Sequence, residues 1–159
     1  MTIPVLLASL VLLLSGASAP SAAPVARPPA PQADSAYTPA RGSTERKAIL
    51  DAMRAHRRRF DAQPVIFVVS YLRVQRGWAW LSVRPQSPDG RSRYEDENAL
   101  LRRRGGRWAV AEVMPAFGER EGTETERDCA WFQQLRRRLT AVPVAVLPAE
   151  GRRPCPTRR

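Results

Sequence analysis

The stretch Val65-Ile66-Phe67-Val68-Val69-Ser70-Tyr71-Leu72-Arg73-Val74-Gln75-Arg76-Gly77-Trp78-Ala79-Trp80-Leu81-Ser82-Val83-Arg84 decides the fold. Val65 to Val74 is dense in β-branched and aromatic residues, which suit a pleated, half-buried surface, and predicts a long strand. Gln75-Arg76-Gly77 supplies a turn, and Trp78 to Arg84 predicts a second strand folding back on the first. The pattern then repeats. Pro85 to Gly90 is rich in turn formers, Asp89-Gly90 being the sharpest. A third strand is expected from about Asp96 to Arg103. Gly105-Gly106 fits a tight hairpin turn, because glycine takes positive φ without strain. Trp108 to Met114 forms the fourth strand, and Pro115 ends it.

Helical spacing appears on either side. Ser43 is placed to cap orphan amides and Glu45 to complement the helix dipole, opening a helix expected over 43–60. Ile49, Met53, His56 and Phe60 form its apolar stripe, and Arg57, Arg58 and Arg59 close it. Gly118 to Asp128 reads as a polar, acidic loop. Cys129, Phe132, Leu135 and Leu139 then recur at helical spacing, with Arg136, Arg137 and Arg138 at the C-terminal end. Val142 to Leu147 suggests a last short strand or extended edge. The order defines an α+β fold: an N-terminal helix packed on a curved four-stranded antiparallel sheet, followed by a C-terminal helix.

Upstream of this domain the chain is poor core material. Val5 to Leu14 is an apolar run of ten, about half of the roughly 20 residues a membrane-spanning helix needs. Small residues follow directly, Ser15 to Ala19, the order that signal peptidase reads. Residues 1–21 are therefore expected to be a signal peptide, cut after Ser18, Ala19 or Ser21. Residues 22–36 form a Pro/Ala-rich linker that cannot bury enough surface to offset its ordering entropy. Residues 37–148 make a single domain, and 149–159 a basic flexible tail. The expected location is the periplasm or the exterior, with no transmembrane segment in the mature protein.

Net charge is +11, with one lysine, Lys47, against 25 arginines. A basic exported protein is drawn to anionic surfaces, so an anionic envelope component or an acidic protein is the expected kind of partner. Nucleic acid fits poorly, since that compartment holds little of it. The two cysteines, Cys129 and Cys155, read either as a disulfide, as an oxidising compartment favours, or as a thiol left unpaired in the tail.

Three segments carry a resemblance. Tyr37-Thr38-Pro39-Ala40-Arg41-Gly42-Ser43-Thr44-Glu45-Arg46-Lys47-Ala48-Ile49-Leu50-Asp51-Ala52, Pro64 to Trp80, and Ala99 to Val113 resemble a group of small exported bacterial proteins of unknown function. The resemblance implies the element order and no activity. One helix against a curved antiparallel sheet is also similar to the cystatin-like and nuclear-transport-factor-like cones, a likeness of architecture alone.

Candidate chemistry is sparse. His56 is the single histidine; it sits in the helix stripe as a packing residue or, on the sharper reading, a base. Glu112 is expected on one strand face with Trp108, Val110 and Met114, where a carboxylate needs a partner such as Arg102 or Arg104, or serves as a pocket acid. Tyr71, Trp78, Trp80 and Trp108 are the ligand-binding candidates, a stacking floor if their face is open and core if a helix covers it. Arg57 to Arg59 and Arg136 to Arg138 would make an anion-binding surface if they converge. Arg102, Arg103 and Arg104 alternate along a strand and are not expected to form one patch. No phosphate-cradling loop, nucleophile elbow or metal-ligand spacing occurs, so no metal or cofactor is expected. The composition fits a noncatalytic binding module; a small cone-fold hydrolase or isomerase using Glu112 or His56, and a structural or inhibitory envelope protein, are the alternatives.

Overall fold

A computed structural model of the chain describes residues 35–116 and 123–155. The expected signal peptide, nearly all of the linker, part of the acidic loop and the last four residues of the tail lie outside the described residues. Four strands form one antiparallel meander in the order β1 (Ile66–Gln75), β2 (Trp78–Gln86), β3 (Glu97–Arg104) and β4 (Arg107–Met114). The sheet is curved and unclosed, with helices on either side, an α+β architecture. Helix α1 (Thr44–Arg57) packs on one face and α2 (Glu124–Arg138) on the other.

Strand β2 shows why two layers of helix are needed. Trp78, Ala79, Trp80 and Leu81 are all buried, on both sides of the pleat. Because side chains alternate across a strand, they feed two separate cores. Ala79, Leu81 and Val83 join Ile49 and Met53 of α1, together with Phe67 and Leu101. Trp78 and Trp80 join Phe132 and Leu135 of α2, together with Leu100 and Val146. A continuous apolar run on an antiparallel strand is stable here only because neither face is left to water.

The local signals explain the helix ends. The Ser43 side chain accepts the Arg46 amide, and Glu45 lies in the first turn of α1. The helix stops at Arg57, short of the expected residue 60, so Phe60 leaves the stripe and stands 80% exposed. Helix α2 begins earlier than expected, inside the supposed acidic loop. Thr123 and Glu126 form a reciprocal capping box there, the Thr123 hydroxyl accepting the Glu126 amide and the Glu126 carboxylate accepting the Thr123 amide.

Two expectations for the C-terminal region need correction. Val142–Leu147 is not a strand; Val144–Val146 makes a 3-10 turn between Pro143 and Pro148, and neither proline has an N–H to give a ladder. The tail expected over 149–159 is structured as far as Cys155. Ala149–Arg152 forms the short helix α3, and a disulfide joins Cys129 of α2 to Cys155. Gly151 is buried against Phe132, and a Cβ added there would lie 2.7 Å from that ring. No helix among the described residues is long and apolar enough to cross a membrane.

Two stability outcomes follow from this C-terminal strap. The cross-link closes a loop with a sequence separation of 26, which on the chain-entropy model contributes about 3–4 kcal/mol. Denaturant melts with and without reductant should show a loss of that order. Gly151→Ala forces a methyl into the Phe132 ring and is expected to cost about 1–3 kcal/mol in the same assay.

Candidate functional site

The aromatic residues do not share a face. Tyr71, Trp78 and Trp80 belong to the α2 side, while Trp108 packs on the α1 side. Tyr71 donates its hydroxyl to the Leu147 carbonyl at 2.9 Å, and burial pushes its pKa up. Trp80 is 1% exposed, donates its indole N–H to Ser82, and meets the rings of Trp131 and Phe132 at 5.8 and 5.2 Å. Trp78 lies under the Arg102 guanidinium at 4.8 Å. These side chains are core rather than an open stacking floor. A bulge in β4 accounts for the split: pairing shifts between Leu100 opposite Glu112 and Leu101 opposite Val110, so Trp108 and Val110 point to one face and Glu112 and Met114 to the other.

Glu112 consequently meets neither Arg102 nor Arg104. Its carboxylate accepts from Arg138 of α2 at 2.9 Å, a strand-to-helix ion pair. His56 is half-buried beside the Phe60 ring at 5.4 Å. Arg57 is held by Asp61 and Glu97 and stacks over Tyr94. The two arginine triplets close helices on opposite faces of the sheet, so they are not gathered into one helix layer. Among the described residues no group of three or more His, Cys, Asp or Glu side chains is arranged to hold a metal.

Two features were not anticipated. At the β2–β3 loop end, a cleft of about 500 Å³ is lined by Trp80, Met114 and Phe132 and by the carboxylates of Glu95, Asp96, Glu124, Asp128 and Glu150, with Arg127 beside them. The Asp128 pKa is raised by burial first, then by Glu124 and Glu150. Glu112 and His56 do not line this cleft.

The opposite end is an arginine rim. A meander places the β1–β2 and β3–β4 turns at the same end of the sheet, and the Arg103 amide donates to the Gly77 carbonyl at 2.7 Å, joining them directly. Arg76, Arg103, Arg104 and Arg107 are all exposed there. Arg102 and Arg103 do alternate between faces, as their strand position predicts. Arg104 and Arg107, however, flank the Gly105-Gly106 turn and draw the group together with Arg76. Glu45 stands against the rim, 3.9 Å from Arg103, and it also accepts from the Tyr37 hydroxyl at 2.7 Å. Burial and that hydrogen bond push the Tyr37 pKa up to about 12.

The rim breaks two local rules. Arg104 and Arg107 are directly paired across the hairpin, and like charges in that position destabilise a sheet. Arg76 has φ of 48°, a left-handed backbone that costs a side-chain-bearing residue energy and suits Gly, Asn or Asp. Local conflicts of this kind cluster where function requires them. A hint was readable in the sequence, since Gly105-Gly106 is flanked by Arg104 and Arg107. What brings Arg76 alongside is the strand order. No family model, no curated protein and no solved structure matches this chain, so the site is read from its own geometry.

The cleft yields a pH prediction. A carboxyl with a raised folded pKa favours the folded state at acid pH, where it is protonated in both states or in the fold alone. That advantage is lost as pH rises from its ordinary value of 3.8 through the raised one. Asp128→Asn is therefore expected to raise the melting temperature at neutral pH and to leave it unchanged near about pH 3. Equal shifts at both pH values would show that the carboxylate is not crowded.

Proposed function

We propose that this chain is an exported, noncatalytic binding module that docks an anionic partner through the arginine rim at the turn end of its sheet. The observation that carries this reading is the Arg104–Arg107 pair, two guanidinium groups opposite one another across a two-residue turn with no carboxylate partner among the described residues. An anion bridging them would convert a repulsive pair into a charge-assisted contact, for which the planar guanidinium is well shaped.

Three further features support surface docking over an internal site. Trp78 and Trp80 are buried beneath α2, in keeping with a role in the core. Glu112 is spent on Arg138 rather than poised in a pocket. The Cys129–Cys155 disulfide suits an oxidising compartment, in keeping with export. For the hydrolase or isomerase alternative, Glu112 pairs with Arg138 and His56 lies outside the acidic cleft, where Asp128 is the carboxyl of raised pKa.

The rim should trade stability against binding. Arg104→Glu creates a cross-strand ion pair with Arg107 and is expected to stabilise the fold by about 0.2–1 kcal/mol. Arg76→Asn relieves the left-handed arginine and is expected to add up to about 1 kcal/mol. Both substitutions should weaken salt-sensitive retention on a sulfated polysaccharide column. If Arg104→Glu stabilises the fold and leaves retention intact, the rim is not the docking surface.

A further inference from the structure

We infer a second docking site, independent of the arginine rim: the outer edge of β1 accepts an extended, acidic segment of a partner protein as an added strand. The backbone supplies the first argument. β1 is an edge strand, paired with β2 along one side. Along its other side Val74 bridges Tyr37, and the Leu72 carbonyl accepts the Thr38 hydroxyl. Over Ile66–Ser70 no backbone hydrogen bond joins this outer edge to another of the described residues. Natural sheets blunt such edges with Lys, Pro or other charge, and Ile66-Phe67-Val68-Val69-Ser70-Tyr71 carries none of these. Phe67 turns into the α1 core, while Ile66 and Val68, on the opposite side of the pleat, stand 44% and 45% exposed. They offer an added strand apolar contacts two residues apart.

Charge complementarity chooses the occupant. A bulge shifts the pairing of β1 between Val69 and Tyr71, and beside it lies a groove of about 450 Å³, lined by residues 38–41 and 69–73 and by Arg46. Arg41, Arg46 and Arg73 all line this groove, and no carboxylate of the described residues does. Arg46 and Arg73 each give one donor to backbone, at the Pro39 carbonyl at 3.3 Å and the Ala36 carbonyl at 3.1 Å. The Arg73 Nε is buried with no hydrogen-bond partner among the described residues. A buried donor left unpaired destabilises a fold, and a carboxylate is the acceptor best matched to a guanidinium. In strand addition the main-chain bonds give affinity, and side chains of matching chemistry choose the partner. A second copy of this chain fits less well. Two-fold pairing of β1 edges would set the arginines of both grooves against each other, in a chain of net charge +11.

The test is fluorescence anisotropy of the purified protein with labelled peptides: one of alternating Val and Glu, the same peptide with Gln for every Glu, and the first peptide N-methylated at alternate residues to remove main-chain donors. Two double variants lower the net charge equally: Arg41→Ser with Arg46→Ser at the groove, and Arg104→Ser with Arg107→Ser at the rim. Thermal melts verify that each is folded. The expected result is binding of the first peptide, weakened about tenfold or more by Gln, by N-methylation and by the groove variant, and much less by the rim variant. A wild-type protein that binds none of the peptides overturns the inference. Equal loss in both double variants, or binding indifferent to N-methylation, means diffuse attraction and overturns it as well. If the protein instead sediments as a dimer and Val68→Lys restores the monomer, a second copy occupies the edge and the acidic segment does not. The rim is tested by its own retention on the sulfated polysaccharide, so either site fails without the other.

Discussion

Everything in this small domain depends on β2 being buried on both faces. Trp78 and Trp80 must leave water on one side of the sheet, and Ala79, Leu81 and Val83 on the other. No single helix can cover both. Helix α1 satisfies the first core through Ile49 and Met53, while α2 and the C-terminal strap satisfy the second through Phe132, Leu135, Val146 and Leu147. The disulfide belongs to the same requirement, since it fastens Cys155, just past α3, to the helix that covers the tryptophans. A two-sided strand thus obliges the chain to keep folding after its sheet is complete.

That obligation also packs the aromatic side chains between sheet and helix, with Trp80 and Phe132 lining the cleft at the loop end. Aromatic side chains packed edge to ring, as Trp80, Trp131 and Phe132 are, contribute dispersion and shape rather than a free stacking surface. The two ends of the sheet differ in sign. The turn end presents the exposed side chains of Arg76, Arg103, Arg104 and Arg107. The loop end gathers carboxylates, and burial first, then Glu124 and Glu150, raise the Asp128 pKa. The net positive charge of the chain is therefore not a uniform coat: exposed arginines gather where two type-I′-like turns meet, and positive φ values at Arg76, Gly77, Gly105 and Gly106 are the backbone signature of that end.

Much of this was legible in the residues. The α+β element order, the four strands, both glycine-containing turns and the Ser43 cap follow from alternation, turn chemistry and capping, which act over a few residues. The Thr123-to-Glu126 capping box was equally local and marks a helix start inside a segment whose charge alone suggests a loop. The helix ended before Phe60 because no core lies beneath that position. The two prolines around Val144–Val146 rule out the ladder that its valines suggest.

The site was less legible because it is made by distance. Alternation predicts which face Trp108 and Glu112 take only if the register never slips, and the bulge opposite Leu100 and Leu101 separates them. Charge counting gives a basic protein but not which arginines are neutralised: Arg57 and Arg138 are paired by groups about 40 and 26 residues away in the chain. By itself the sequence determined the strands, turns and helices, because their causes are short-range backbone and side-chain preferences. Tertiary structure alone decided which aromatics became core, which carboxylates were spent on ion pairs, and that the arginines of two separate turns share one edge. Burial and Coulomb pairing depend on neighbours in space, and only the folded sheet supplies them.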